Sequence, residues 1–277
     1  MDNKLTTRDI QMVLLDILKD VHEFCVKHDI KYTLSGGSQL GAIRHNGFIP
    51  WDDDADIQMP LPDYDRFIRT YKSERGLELF SHEKEGGKNV RIRMARVCDV
   101  CRTVADQGPV PWIDKPVGVW IDVLPVFGAP GSLEEFERYY KKMKFFSKLE
   151  KWWRIGKADA SKYKQFKSGK DKFSFFIKRV VSFFIPNDIL DRYQRFLREI
   201  DYSQADHICA SPHYGIREWQ PKRFMESRIL HKFEDTELYV MEEYDENLKM
   251  LFGDYMKLPP EKDRKTHDIH PFYWKQH

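Results

Sequence analysis

Residues 34–60 read LSGGSQLGAIRHNGFIPWDDDADIQMP, and this stretch decides how the core of the chain folds. Its glycines and its alternation of apolar and polar residues predict a strand at 31–34, a turn at 35–38, a short helix at 39–45 and a strand at 54–59. The turn formed by Gly36, Gly37 and Ser38 is expected to present backbone N–H groups and a hydroxyl at a helix N-terminus. Because such a position attracts anions, we predict that the turn binds phosphate.

The same stretch carries an acidic cluster, with four aspartates at positions 52–56. On a strand, Asp54 and Asp56 point to the same face because side chains alternate with a period of two, and Asp53 points away. Two carboxylates on one face suit Mg²⁺, which prefers oxygen ligands and bridges to substrate phosphates. An acidic, solvated turn would explain the aspartates alone. The glycine-rich turn upstream favours a metal and phosphate site.

A third carboxylate lies in the sequence WIDVL, where Asp122 interrupts an apolar strand predicted at 118–124. A lone carboxylate is costly to bury unless it is paired or coordinated. If this strand lies beside the strand at 54–59, Asp122 completes a site with Asp54 and Asp56. The alternative is an edge strand on which Asp122 faces solvent.

The remaining pattern is one of helices and strands in succession. Apolar spacing predicts a long amphipathic helix at 7–29, with Thr6 and Asp9 as a capping box at its start. Further elements are predicted as a helix from 63 to 70, a strand at 90–97, a mainly helical pattern from 133 onward, and helices at 188–200 and 245–251. This order indicates an α/β or α+β domain.

Composition excludes several classes of protein. The chain has 277 residues, 41% hydrophobic and 32% charged, which is typical of a globular protein with one large domain or a domain plus a subdomain. A net charge of +2 argues against a dedicated nucleic-acid binder. There is no apolar run of 18 residues, the N-terminus is polar and only four cysteines are present. We expect a soluble protein of a reducing compartment, the cytoplasm.

Charge is concentrated in a basic aromatic segment, residues 140–186. It holds 14 Lys and Arg against three acidic residues, and 12 of the 39 aromatic residues of the chain. Basic residues interleaved with aromatics suit an anionic membrane surface. They also suit single-stranded nucleic acid, or a helical hairpin whose aromatics pack on the main domain.

These motifs together resemble the LicD family of phosphorylcholine transferases, within the polymerase-β-like nucleotidyltransferase superfamily. The resemblance is carried by residues 34–60, by WIDVLPV at 120–126 and by LFGDYMKLPP at 251–260. It implies an α+β fold with a nucleotidyltransferase-like mixed β-sheet core flanked by helices. We expect this catalytic core at 1–139, a basic aromatic helical insertion at 140–186 and a helical C-terminal region at 187–277.

The resemblance also implies an activity: transfer of phosphocholine from CDP-choline to a hydroxyl of a bacterial surface glycan, at the inner face of the cytoplasmic membrane. The acceptor would be a lipid-linked or surface glycan such as a teichoic acid, lipopolysaccharide or capsule precursor. Mg²⁺, or Mn²⁺ in its place, would be held by Asp54, Asp56 and Asp122. Asp122 would also act as base toward the acceptor.

The substrate-binding residues expected from the resemblance are Gly36, Gly37, Ser38, Arg44, His45 and Asp53. Arg44 and His45 would stabilise charge on the leaving CMP, and Arg44 would equally suit a pair with the acidic loop. Two alternatives remain. Another phospho-alcohol, such as ribitol, glycerol or ethanolamine phosphate, would be the group transferred, or the chain would be a membrane-associated assembly protein without activity. The presence of all three carboxylates favours the enzyme.

Overall fold

The structure is a computed structural model that describes residues 3–108, 110–158, 168–210, 213–264, 266 and 271–276. These residues form seven α-helices: α1 (Thr7–Lys27), α2 (Gly36–His45), α3 (Leu61–Thr70), α4 (Leu133–Lys157), α5 (Gly169–Ser182), α6 (Ile189–Leu197) and α7 (Tyr244–Phe252). They also form eleven strands: β1 (Thr33–Leu34), β2 (Asp56–Pro60), β3 (Glu78–Phe80), β4 (Ala95–Cys98), β5 (Thr103–Ala105), β6 (Trp120–Ala129), β7 (His207–Cys209), β8 (Gln220–Pro221), β9 (Arg228–Phe233), β10 (Thr236–Met241) and β11 (Phe272–Trp274).

A mixed sheet of seven strands forms the centre of the molecule. Strands β1, β2, β6, β4 and β3 lie side by side in this order, while β7 pairs with the end of β6 and β8 pairs with β7. Strand β2 runs parallel to β6, and the other pairs in this sheet are antiparallel. The hairpin β9–β10 and the pair β5–β11 are separate. The fold is therefore α+β, as predicted, with helices flanking a mixed sheet.

Helix α1 anchors the N-terminal part of the chain to this sheet. Its capping box is confirmed, since the Asp9 carboxylate accepts from the Thr6 N–H at 2.8 Å and the Asp9 N–H donates to Thr6 Oγ1 at 3.2 Å. Its buried apolar side chains follow the helical spacing of the sequence: Ile10, Val13, Leu14, Ile17, Leu18 and Val21. These residues belong to one hydrophobic core that draws on side chains from Leu5 to Phe272.

The register of the parallel pair places the acidic residues. Asp56 in β2 lies directly opposite Asp122 in β6, and Ile57 lies opposite Val123. The two apolar side chains are fully buried on one face of the sheet. Because side chains alternate along a strand, both aspartates lie on the other face. The expectation that the two acidic strands are neighbours is confirmed.

Two local predictions from the sequence were wrong. The residues 36–38 do not form a turn; they are the first turn of α2, with Ser35 at the N-cap. The strand predicted at 90–97 is limited to β4: Arg91 and Arg93 lie in an irregular segment before it, where the Arg91 N–H donates to the Trp112 carbonyl at 2.8 Å in place of a strand partner.

The C-terminal region is less helical than expected. Residues 187–277 contain α6 and α7, but also β7 to β11. Strand β9 leaves most of its side chains half-buried or exposed, so the apolar alternation that identifies a strand is weak there.

The basic aromatic segment is helical where it is described. Residues 140–186 comprise most of α4 and all of α5, which lie side by side; residues 159–167 are outside the described part. Ile185 and Trp153 pack with Ile189 and Leu190 of α6. No helix in the described ranges has the length and hydropathy needed to cross a bilayer. The division of the chain at 139 and 186 stays a prediction.

Candidate active site

A cavity of about 290 Å³ lies where the start of α2 meets β2 and β6. Five of the residues predicted from the sequence line it: Gly36, Gly37, Asp54, Asp56 and Asp122. The other lining residues are Ser35, Asp52, Gln58, Arg93, Met94, Leu124, Ala210, His213, Tyr214, Glu218, Gln220, Asn247 and Leu251. The structure therefore brings the three carboxylates and the start of α2 to one cavity.

Asp56 lies among other carboxylates in this cavity. Burial raises the pKa of Asp56 well above its ordinary value, and repulsion from Asp54, Asp122 and Asp52 adds to this effect. A bound cation would remove the repulsion and favour the ionised carboxylate. The electrostatics of the cavity are therefore those expected of a cation site.

Asp122 is held by an arginine that the sequence reasoning missed. Arg96 on β4 donates from Nε to Asp122 Oδ1 at 2.6 Å and from a terminal nitrogen to Oδ2 at 3.4 Å. The guanidinium group lies 4.8 Å from the ring centre of Trp112 and 4.5 Å from that of Trp120. A two-point ion pair with a stacked arginine fixes the orientation of a carboxylate. Arg96 therefore sets the position of Asp122.

Ser38 is not among the residues that line the cavity; its side chain makes a hydrogen bond that connects α2 to β2. Its side chain is buried, and its Oγ accepts a hydrogen bond from the Asp56 N–H at 2.9 Å. The Ser35 N–H donates to the Asp56 carbonyl at 3.0 Å. These two contacts fix the start of α2 against the start of β2. The phosphate contact predicted for Ser38 stays a prediction.

Gly36, the first residue of α2, lies close to Tyr214 in a backbone conformation that favours glycine. Its φ angle of +49° lies in the left-handed region, and a Cβ atom there would be 2.8 Å from the hydroxyl of Tyr214. Glycine adopts this conformation without strain. The first glycine of the motif thus allows Tyr214 to approach the helix start.

Arg44 and His45 lie at the opposite end of α2 and are not among the residues that line the cavity. Arg44 donates to the carbonyl of Tyr255 at 2.7 Å and from Nε to His45 Nε2 at 2.9 Å. A ten-residue helix is about 15 Å long, so these side chains start far from the acidic cluster. Asp53 is also outside the cavity lining, in line with its expected direction away from Asp54.

The cavity has one arginine of its own, Arg93. It pairs with Glu150 of α4 at 3.5 Å, and both side chains are largely buried. Arg93 falls within the strand predicted at 90–97, but it lies in the irregular segment before β4 and lines the cavity. A guanidinium group at this position suits a phosphate of the substrate.

The C-terminal part of the chain forms one wall of the cavity, which the sequence analysis did not predict. Gln39 Nε2 donates to Asn247 Oδ1 at 2.9 Å, and Asn247 Nδ2 donates to Gln220 Oε1 at 3.0 Å. All three side chains are buried, and Gln39 Oε1 also accepts from the Met241 N–H at 3.1 Å. This amide chain joins α2, β8 and α7 behind the cavity. Only the three-dimensional fold brings these distant residues together.

The donor set fits Mg²⁺ through two carboxylates. Asp54 and Asp56 supply anionic oxygens, and Mg²⁺ is commonly bound by one or two carboxylates together with substrate phosphates. Within the described ranges, no group of three or more His, Cys, Asp or Glu side chains is arranged around one ion. Asp122 differs from these two carboxylates because it is paired with Arg96, with 2.6 Å between Arg96 Nε and Asp122 Oδ1. Its role as a third ligand stays a prediction.

Comparison with known proteins agrees with this geometry. A family model described as LicD/FKTN/FKRP, nucleotidyltransferase domain, matches residues 29–114, which include Gly36, Asp54 and Asp56. The lipopolysaccharide cholinephosphotransferase LicD of Haemophilus influenzae is 32% identical over 285 residues, which cover 98% of each chain.

Shorter matches include two uncharacterized proteins from Rickettsia. The protein from Rickettsia typhi is 37% identical over 97 residues, 28% of this chain and 31% of its own. The protein from Rickettsia prowazekii is 37% identical over 102 residues, 29% of this chain and 38% of its own. Because the match to the Haemophilus influenzae protein spans nearly the whole of both chains, this chain belongs to the LicD family.

Proposed function

We propose that the protein transfers phosphocholine from CDP-choline to a hydroxyl of a bacterial surface glycan, with lipopolysaccharide as the first acceptor to test. The observation that carries this proposal is the 32% identity, over 98% of both chains, to a lipopolysaccharide cholinephosphotransferase. The cavity at the start of α2 supports a phosphotransferase, because it combines carboxylates, a helix N-terminus and an arginine.

The donor diphosphate is bound at the start of α2 in this proposal. The N–H groups in the first turn of a helix have no acceptor within the helix, and they carry partial positive charge. Gly36 and Gly37 present such groups in the cavity wall, and Arg93 lies in the same cavity. Together they would hold the diphosphate oxygens and orient the phosphorus atom toward the acceptor.

Asp54 and Asp56 would hold Mg²⁺, or Mn²⁺ in its place. When bound, the ion neutralises charge on the donor phosphates. The two carboxylates line the same cavity as Gly37, so a cation held there would offset their repulsion of the anionic substrate.

Asp122 would accept the proton of the attacking hydroxyl. A bond forms between the hydroxyl oxygen of the glycan and the phosphorus atom of phosphocholine, and the bond from phosphorus to the CMP oxygen breaks. CMP leaves with the electron pair of that bond. Arg96 holds the carboxylate of Asp122 in place for this step.

The test is a CMP-release assay with purified protein and Mg²⁺. CDP-choline, CDP-ribitol, CDP-glycerol and CDP-ethanolamine are supplied in parallel, with and without extracted cell-envelope glycolipid. Release from CDP-choline that depends on acceptor and metal is expected, and Asp54→Ala should abolish it. The matched control is Glu134→Gln, a surface carboxylate that is 83% exposed.

The other outcomes decide between the alternatives. Release from a different CDP-alcohol would retain the mechanism and replace the donor. If folded protein releases no CMP from any donor in the presence of a competent acceptor, the enzyme is rejected and the assembly protein is favoured.

A further inference from the structure

Helix α5 exposes a row of large apolar side chains. Phe183 and Phe184, in the turn that ends the helix, are 81% and 84% exposed, and Phe173 and Phe176 are 68% and 60% exposed. Ile177 and Val180 are 44% and 42% exposed. A soluble surface rarely presents so many large apolar groups next to one another.

These six side chains form one face. With 3.6 residues per helical turn they project within an arc of about 120°. Phe175 lies on the opposite side of α5 and is buried where α5 runs along α4. The helix is therefore attached to the molecule by one side, and its apolar face, defined as Phe173, Phe176, Ile177, Val180, Phe183 and Phe184, points outward.

Cations border this apolar face. Lys170 projects near one edge of the arc, and Lys172 and Arg179 project near the other, by the same helical geometry. Asp171 is the acidic residue of the helix. An apolar stripe between two basic edges is the arrangement of helices that lie in the plane of an anionic membrane surface.

A basic pocket lies on the side of α5 that faces α4, opposite the apolar face. It has a volume of about 300 Å³ and includes Lys151, Arg154 and Lys178, with Asp171 as its acid. The Nε atom of Arg154 is buried without an acceptor among the described residues. These cations lie behind the apolar face and add to the positive charge that this part of the molecule presents to an anionic surface.

The charges decide between two occupants of the apolar face. A second copy of this chain would bring its own basic edges against Lys170, Lys172 and Arg179, which costs like-charge repulsion. An anionic bilayer provides apolar chains for the phenylalanines and negative phosphates for the cations. The whole segment 140–186 carries a net charge of +11, which strengthens the attraction to such a surface.

We propose that α5 docks the protein on an anionic phospholipid bilayer, with its apolar face in the interface and the bordering cations Lys170, Lys172 and Arg179 against lipid phosphates. The pocket and the catalytic cavity are joined by one turn of α4. Glu150 pairs with Arg93 in the cavity, and Arg154, four residues later, lines the pocket. Docking would therefore hold the cavity at a fixed position relative to lipid-anchored acceptors. The proposal does not depend on which donor the enzyme uses.

The test is flotation of the full chain with vesicles of phosphatidylcholine alone or mixed with phosphatidylglycerol. Binding is expected only to the mixed vesicles, and should weaken as salt rises from about 0.1 to about 0.5 M. Phe183→Ser with Phe184→Ser should lower the partition coefficient by about tenfold or more, because the buried apolar area is lost. Lys170→Ala with Lys172→Ala should lower it by about fivefold per lysine.

The controls separate docking from folding and from self-association. Met12→Ser with Met256→Ser removes two exposed apolar side chains elsewhere, 42% and 57% exposed, and should bind as the unchanged chain does. Equal binding by the phenylalanine variant, or no binding by the unchanged chain, would overturn the proposal. So would a dimer in light scattering that the phenylalanine variant dissociates, without vesicle binding.

Discussion

Arg96 shows how the site depends on single residues. It is the described partner that fixes both oxygens of Asp122, and its own position is fixed by two tryptophan rings. We expect Arg96→Gln to lower kcat by roughly tenfold to a hundredfold, because Asp122, the proposed proton acceptor, loses its orientation. Arg96→Lys should recover part of the rate, since a charge remains but the two-point geometry does not.

The measurement is kcat and KM for donor and acceptor, beside the free energy of unfolding from urea titration. A lower kcat in folded Arg96→Gln protein, with the donor KM nearly unchanged, agrees with a positioning role. An unchanged kcat would show that Asp122 needs no such support.

Gly36 combines a left-handed backbone conformation with a close approach to Tyr214. Gly36→Ala would place a methyl group 2.8 Å from the Tyr214 hydroxyl at a φ of +49°. We expect a loss of about 1–2 kcal/mol in the free energy of unfolding, because non-glycine residues disfavour this conformation. Displacement of Tyr214 should also raise the donor KM. Gly131→Ala is the control, since its added methyl group meets no atom within 4 Å; equal stability of both variants would refute the argument.

Tyr214 is the aromatic residue of the described cavity lining. A choline head group is a quaternary ammonium, which an aromatic face attracts. Tyr214→Ala should therefore raise the KM for CDP-choline by about fivefold to thirtyfold, and Tyr214→Phe should not. The inhibition constant of CDP-glycerol, which has no cation, serves as the comparison. If Tyr214→Ala weakens the binding of CDP-choline and CDP-glycerol equally, Tyr214 does not bind the head group.

At the scale of elements, the amide chain behind the cavity holds three segments together. Asn247 on α7 bonds to Gln39 on α2 and to Gln220 on β8, and all three are buried. Asn247→Leu would leave both glutamines with unpaired polar atoms. We expect the free energy of unfolding to fall by about 2–4 kcal/mol, since each buried unsatisfied group costs about 1–3 kcal/mol.

Urea titration of Asn247→Leu, with the exposed Asn187→Leu as the matched control, checks this expectation. Asn187 bonds to Lys157 at the surface, so its loss should change stability little. A similar small change in both variants would mean that the amide chain contributes nothing to holding α7 in place.

The elements that the sequence predicted well are those with local signals. Helix α1 follows from apolar spacing and the Thr6 cap, and β2 follows from the alternation around Asp56. Arg96 could not be predicted as a partner of Asp122, because the pairing arises from the register between β4 and β6. Strands β9 and β10 pair with each other across a two-residue turn, but the mixed exposure of β9 gave no clear alternation.

At the scale of the whole molecule, the candidate active-site cavity is closed by residues that lie far apart in the sequence. Gly36 and Asp56 come from the segment that the family model matches, whereas Tyr214 and Asn247 lie about 100 residues or more beyond it. The carboxylate arrangement was foreseeable because its residues lie in recognisable motifs. The outer wall was not, because it forms only when the C-terminal region packs against α2.

The most direct test of the proposed activity follows the acceptor. Lipopolysaccharide lacking phosphocholine is incubated with CDP-choline, Mg²⁺ and the protein, and the acceptor is analysed by mass spectrometry. We expect the acceptor to gain the mass of a phosphocholine group with the unchanged protein and with Glu134→Gln, but not with Asp54→Ala or Asp56→Ala. Transfer that persists in both aspartate variants would contradict the assignment of the site, and no transfer by the folded, unchanged protein would contradict the proposed reaction with this acceptor.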